Sequence, residues 1–329
     1  YVLDVNKKML SKVTMHACSC GDEAFLNKMI DAKVDLNAMD SNGRTALMLA
    51  CIEGHEDVVS KLLEAKVDFN ATDKNRKTAL MHACSGGYNK IVSKLLAAKV
   101  DFNATDDHDK TALILTCEGK ADKHQLVSML IEVGVDLNAK DSSGKTALMY
   151  ACGEGYEKII STLLDAEADI NITDDIGFTA LMFACMRGSE TVVSSLLKAR
   201  ANVNHQNLYG HTAFMMACVA GHDEVVLKLL DKGIDPNVKD DKGMTPLMLV
   251  CEQGNCNVLA RLISAQNLYT TKKVDFNLKD QSGRTALMIA CEREHAWMVK
   301  FLLEVNLDIT IRNNDGNTAL MIARQVGNK

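Results

Sequence analysis

Proline is nearly absent from this chain: two residues in 329, beside one tryptophan and a 5% share of aromatics, suit a uniform helical architecture. The 47% hydrophobic content is enough to bury a sizeable core, and one centralised globule is not the only way to bury it. No apolar run approaches the roughly 20 residues that cross a bilayer. Tyr1 to Lys8 mixes polar and apolar residues unlike a signal peptide, so no direct membrane insertion is expected. Tyr1 is not a start residue, which leaves a removed targeting segment ahead of it open. Basic charge is not in excess either. A net charge of −6, a pI near 5.9 and the lack of a basic tail argue against nucleic acid as a partner, because phosphate binding relies on clustered Lys and Arg.

Catalytic signatures are missing too. There is no Gly-x-Ser-x-Gly elbow, no phosphate-cradling loop and no His-Glu-x-x-His helix. The sequence therefore implies no enzyme, no catalytic residue, no metal site and no cofactor. The eleven cysteines recur at a period far too long for a small disulfide scaffold. They read as reduced thiols in an intracellular, cytoplasmic setting.

What the chain does have is self-similarity. Thr-Ala-Leu-Met begins at Thr45, Thr78, Thr146, Thr179, Thr285 and Thr318, with near copies at Thr111, Thr212 and Thr245. Successive spacings are 33, 33, 35, 33, 33, 33, 40 and 33 residues. A degenerate copy, Lys12-Val13-Thr14-Met15, stands 33 residues before Thr45. Residues 1–329 thus read as one array of ten repeats, the first degenerate and the last incomplete.

In the second repeat Leu47, Met48, Ala50 and Cys51 recur at helical spacing, and Gly54 is placed to end that helix in a left-handed conformation. A second helix follows with Val58, Val59, Leu62 and Leu63 on one stripe. Neither helix buries its stripe alone, so the repeats must stack and stability becomes a sum of nearest-neighbour terms. Asp40-Ser41-Asn42-Gly43 is turn chemistry for a projecting hairpin.

The unit Asp-x-x-Gly-x-Thr-Ala-Leu-Met-x-Ala-Cys-x-x-Gly closely resembles the ankyrin repeat, whose signature is Thr-Pro-Leu-His-x-Ala on a 33-residue period. The resemblance covers essentially the whole chain. It implies an all-α solenoid of L-shaped units, each a helix-turn-helix plus a β-hairpin or loop, stacked into a curved array. Eight of nine recognisable copies carry Ala for the family's Pro, exchanging a helix-start residue for the best helix former. Met replaces the family His in nine of ten repeats, with Ile114 the exception, so softer contacts between repeats are expected. Two insertions break the period, near residues 119–124 and at Gln266 to Lys272. Either reads as a tolerated surface loop, and either could bind.

Cys18, Cys51, Cys84, Cys117, Cys152, Cys185, Cys218, Cys251 and Cys291 form a ladder. Stacked helices lie roughly 8 to 10 Å apart and a disulfide needs Cα atoms within about 7 Å, so these should not pair. A ladder also supplies no converging set of four zinc ligands. Buried structural thiols are the expectation. His16-Ala17-Cys18-Ser19-Cys20 lacks a second ligand pair, and His55 and His222 read as structural. Asp68 with Asn70 and Asp101 with Asn103 resemble loops that asparaginyl hydroxylases modify in ankyrin proteins, beside a main role for Asn in capping the turn between repeats.

Ankyrin proteins grip partners along the concave side, with hairpin tips and the exposed face of the first helix. Carried over, the position before the motif Thr reads Arg44, Lys77, Lys110, Lys145, Phe178, His211 and Met244, followed by Arg284 and Asn317. Four basic tips come first and an apolar segment follows. Ile176, Leu208 and Tyr209 extend that segment, and Met186, Arg187 and Val219 stand where other repeats place Glu118, Glu154, Glu252 or Glu292. The resemblance thus implies a protein-interaction scaffold or adaptor. Its partner would be a protein or peptide with an apolar anchor near the sixth and seventh repeats and an acidic segment for the basic tips. Oligomeric state stays open, with a monomer expected. Because the last repeat stops at Val326-Gly-Asn-Lys329, before its second helix, the alternative is a recognition module of a larger channel, receptor, enzyme or pathogen effector.

Overall fold

The computed structural model describes residues 2–265 and 272–327. Among them are nineteen helices and no strand beyond an isolated antiparallel bridge between Thr173 and Thr179. The residues fall into two compact bodies, Tyr1–Ala151 with Lys158–Asp169, and Cys152–Glu157 with Ile170–Lys329.

In the first body α1 (Val2–Cys20) pairs with α2 (Glu23–Asp31), α3 (Ala46–Glu53) with α4 (Glu56–Glu64), α5 (Ala79–Gly86) with α6 (Asn89–Ala97), and α7 (Ala112–Glu118) with α8 (His124–Glu132). Helices α9 (Ala147–Glu154) and α10 (Glu157–Asp165) contain the boundary. In the second body α11 (Ala180–Arg187) pairs with α12 (Glu190–Lys198), α13 (Ala213–Ala220) with α14 (Asp223–Leu230), α15 (Pro246–Gln253) with α16 (Cys256–Ala265), and α17 (Ala286–Glu292) with α18 (Ala296–Leu303). Helix α19 (Ala319–Gln325) follows and packs on α17. First helices stack on first helices, α1 to α3 to α5 to α7 and α11 to α13 to α15 to α17, and second helices stack likewise.

Helices of seven to ten residues are marginal on their own, so caps and burial hold them. Thr45 sits in extended backbone and its Oγ1 accepts the Met48 N–H at 3.3 Å, a cap worth about 1 kcal/mol. Gly54, at φ 81°, closes the other end by donating its N–H to Ala50 O. Every residue from Ala46 to Cys51 is buried. In α4, Val58, Val59 and Leu62 are buried, while Leu63 reaches only half burial, so the stripe is one residue narrower than its sequence suggests. The methionines recover part of the lost polar link: the Thr78 N–H points at Met81 Sδ at 3.5 Å and the Thr245 N–H at Met248 Sδ at 3.4 Å.

The first repeat departs from the pattern. Where every later repeat opens its turn on Asp or Asn, this one reads Lys7-Lys8-Met9-Leu10, which has no turn residue, and α1 runs unbroken for 19 residues. At the first insertion α7 ends on Gly119 in extended backbone, and Lys123 donates its Nζ to Cys84 O and Ser85 O at 3.0 and 2.7 Å. Most of the second insertion, 266–271, lies outside the described residues; Lys272 pairs with Asp235 at 2.7 Å.

The nine ladder cysteines are buried and all eleven are free thiols. Burial pushes the Cys18 and Cys84 thiols up to about 12 and those of Cys51, Cys117, Cys185, Cys218, Cys251 and Cys291 upward as well, so these are uncharged packing groups. His16 and Cys20 lie 3.8 to 3.9 Å apart on an exposed face of α1.

Candidate functional site

Each tip is built by its first residue. Asp174 Oδ1 accepts the N–H groups of Ile176 and Phe178 at 3.1 and 2.7 Å, and the Asp174 N–H donates to Phe178 O at 2.9 Å. Asn207 repeats this with Tyr209 and His211 at 3.0 and 2.9 Å. The turn that results holds the intervening side chains outward. Neighbouring tips are then tied together, the Leu208 N–H donating to Ile176 O at 3.1 Å and His205 placing Nε2 2.9 Å from Gly177 O. A Cβ on Gly177 would come within 2.9 Å of Asn207 Cα, so glycine permits this approach as well as its φ of 81°.

This geometry brings Ile176, Leu208 and Tyr209 into one exposed apolar group, at 44%, 68% and 55% of full exposure. Met186 is also exposed, at 46%, near the end of α11, with Arg187 exposed beside it. Val219, on α13, is half-buried. Phe178 is half-buried against Phe183, ring centroids 5.5 Å apart, and so belongs partly to the packing beneath the tip. His211 is held by Asp240 at 3.3 Å and lies 6.2 Å from the Tyr209 ring.

Met244 is a correction. It is only 4% exposed, so it leaves the apolar surface to which its position assigned it. The other residues at that position carry polar heads or rings and stay half-buried, whereas a thioether has no group that needs water and folds under completely.

The basic tips of the first body are less available than their sequence implies. Arg44 is locked to Asp40 by two 2.8 Å contacts. Burial opposes ionisation of Asp40, but the Arg44 N–H, its guanidinium and the Asn42 N–H outweigh it and hold the carboxyl below its usual range. Lys110 meets Glu118 at 2.5 Å and lies 5.2 Å from the Tyr150 ring, with Lys145 at 5.8 Å from the same ring. Tyr150 donates its hydroxyl to Asp141 Oδ2 at 2.7 Å; burial, then the Asp141 charge, pushes the phenol up. Lys77 is half-buried and its backbone N–H is fixed by Asp73. Sequence reading missed the Tyr150 box, although Asp141 and Tyr150 stand in the same repeat.

Two further devices tie neighbouring repeats together. His55 and His222 place Nε2 2.9 and 3.0 Å from the carbonyls of Ser19 and Met186, each at the end of the preceding first helix, and the Tyr88 hydroxyl and Asn255 amide act alike on Ile52 and Val219. Both histidines are thus structural, as expected. Asn70 Oδ1 accepts the Asp101 N–H and Asn103 Oδ1 the Asp136 N–H, so these side chains bind one turn to the next.

A family model for ankyrin repeats, three copies to a match, fits residues 14–106, 88–174, 166–240 and 247–329. No curated protein matches the chain. No described helix is long and apolar enough to cross a membrane.

Proposed function

The chain belongs to the ankyrin-repeat family, and from that premise we propose that it is a scaffold or adaptor that docks a protein partner on the apolar tips of its second body. Ankyrin repeats are protein-interaction modules. The observation that carries the more specific reading is the cluster Ile176, Leu208 and Tyr209, three large apolar side chains exposed on adjacent, rigidly closed turns. A rigid turn limits the entropy lost on binding, and an aromatic flanked by aliphatics is the composition of an interface hot spot. Met186 extends the anchor along α11, with Arg187, His211 and the edge of Val219 as its polar and packing rim. In this reading the partner supplies an apolar residue to that surface. Lys77 of the first body, less constrained than Arg44 and Lys110, and Lys145 beside the Tyr150 ring are the basic tips that suit a partner's acidic segment.

The test is affinity capture from lysate with the wild-type chain beside Leu208→Ser, Tyr209→Ser. Phe178 is left unchanged, because its contact with Phe183 would confound binding with stability. A protein retained by the wild type and lost from the variant supports the site. Equal retention of every captured protein refutes it.

A further inference from the structure

In the first body each tip donates a backbone N–H to the tip before it: Lys74 to Asn42 O, Asp107 to Asn75 O and Ser142 to His108 O, all at 2.9 Å. A second row runs alongside, from the N–H of Asp68 to Asn37 Oδ1 and of Asp101 to Asn70 Oδ1. One period earlier the same two positions are Ser41 and Asp35. There the preceding chain has wound into α1 instead of a turn, and neither N–H meets an acceptor among the described residues. The ladder therefore begins with two unused donors.

Both donors border a cleft of about 1240 Å³ between α1 and the loop that follows α2. Leu10 and Met39 line it as exposed apolar side chains. Its charges are unbalanced. Arg44 and Asp40 neutralise each other, whereas Lys12 and Lys33 are exposed with no carboxylate partner among the described residues, against the single unpaired carboxylate of Asp35.

We propose that this cleft is a second docking site, which takes an extended acidic peptide segment of a protein partner as if it were the missing preceding tip. An extended chain presents carbonyls along one edge for Ser41 and Asp35, and alternate side chains to opposite faces. Acidic residues on one face meet Lys12 and Lys33, and apolar residues on the other meet Leu10 and Met39. The site lies wholly in the first body, so it stands or falls apart from the apolar tips of the second.

The probe is a short fluorescein-labelled peptide of alternating Glu and Val, followed by fluorescence anisotropy, beside the same peptide with Lys for Glu. Ser41→Pro removes one donor at the second position of a turn closed by the Gly43 N–H and Asp40 O, where proline is favoured. The expected result is saturable binding of the Glu peptide only. It should weaken about 3- to 10-fold in Ser41→Pro, weaken by a similar factor in Lys12→Glu, and stay unchanged in Leu208→Ser, Tyr209→Ser. If Ser41→Pro does not fold, as judged by its thermal unfolding, Lys12→Glu alone decides. No saturable binding, binding indifferent to the first-body variants, or binding lost with the second-body pair would each overturn the proposal.

Discussion

Before the motif threonine the first body carries Arg44, Lys77, Lys110 and Lys145, and the second opens with Phe178 and His211. Both bodies close their tips the same way, with a side-chain oxygen accepting two backbone N–H groups. The side chains then diverge. Charged tips find partners within the chain, Arg44 in Asp40 and Lys110 in Glu118. Apolar tips have no such option unless a neighbour covers them, as one does for Phe178 and not for Leu208. One scaffold thus gives self-neutralised tips at Arg44 and Lys110 in one body and unsatisfied ones at Ile176, Leu208 and Tyr209 in the other. The unsatisfied ones are where burial against a partner gains most.

What the bodies share should respond equally, and that response is the largest expected. Four thiols raised by burial lie in each body: Cys18, Cys51, Cys84 and Cys117, then Cys185, Cys218, Cys251 and Cys291. Their folded values exceed the unfolded value of about 8.5, so the unfolded chain loses its protons first. Stability is full below about pH 8.5 and falls as pH rises toward the folded values, by up to about 1.4 kcal/mol per pH unit per thiol. Urea midpoints across this range should show the loss, and Cys185→Ala with Cys218→Ala should lessen it by about a quarter, two of these eight thiols being removed. A transition confined to one body would break the symmetry.

Next in size is binding. Leu208→Ser with Tyr209→Ser should weaken a captured partner by about 100-fold or more, two anchors being removed, while unfolding free energy moves by no more than about 0.5 kcal/mol because both side chains are exposed. Titration calorimetry and thermal unfolding read the two. Arg44→Ala in the first body should change the same affinity less than about 3-fold, since its charge is already engaged.

Within the ladder, Cys185→Ser places a hydroxyl in a fully buried site and should cost about 1 to 3 kcal/mol, whereas Cys20→Ser, on an exposed face, should cost less than about 0.5 kcal/mol. Denaturant titration separates them. The smallest effect expected is a gain. Asp109 holds φ 56° where Gly144 and Gly177 occupy the corresponding turns at 75° and 81°. Asp109→Gly should relieve up to about 1 kcal/mol of strain, offset in part by a more flexible unfolded chain, and raise the thermal midpoint.

The period, the helix pairs and the Gly54 cap were legible because each is local: Gly54 closes α3 three residues after Cys51. The first repeat was legible only as a degenerate copy, and its unbroken α1 emerged from the structure. The site was legible only as a position. Whether a residue there faces solvent depends on side-chain direction and on what the next repeat offers, which is why Leu208 and Tyr209 emerged as expected while Met244 turned under and Phe178 found Phe183. The neutralisation of Arg44 and Lys110 was hidden for the same reason, since a sequence counts charges without their partners.

The most direct test of the second-body site is amide hydrogen exchange of the complex with the captured partner, compared with the free chain. The account predicts new protection at residues 174–178 and 207–211, the tips that carry Ile176, Leu208 and Tyr209. Protection confined to other residues, with these tips exchanging as in the free chain, would contradict it.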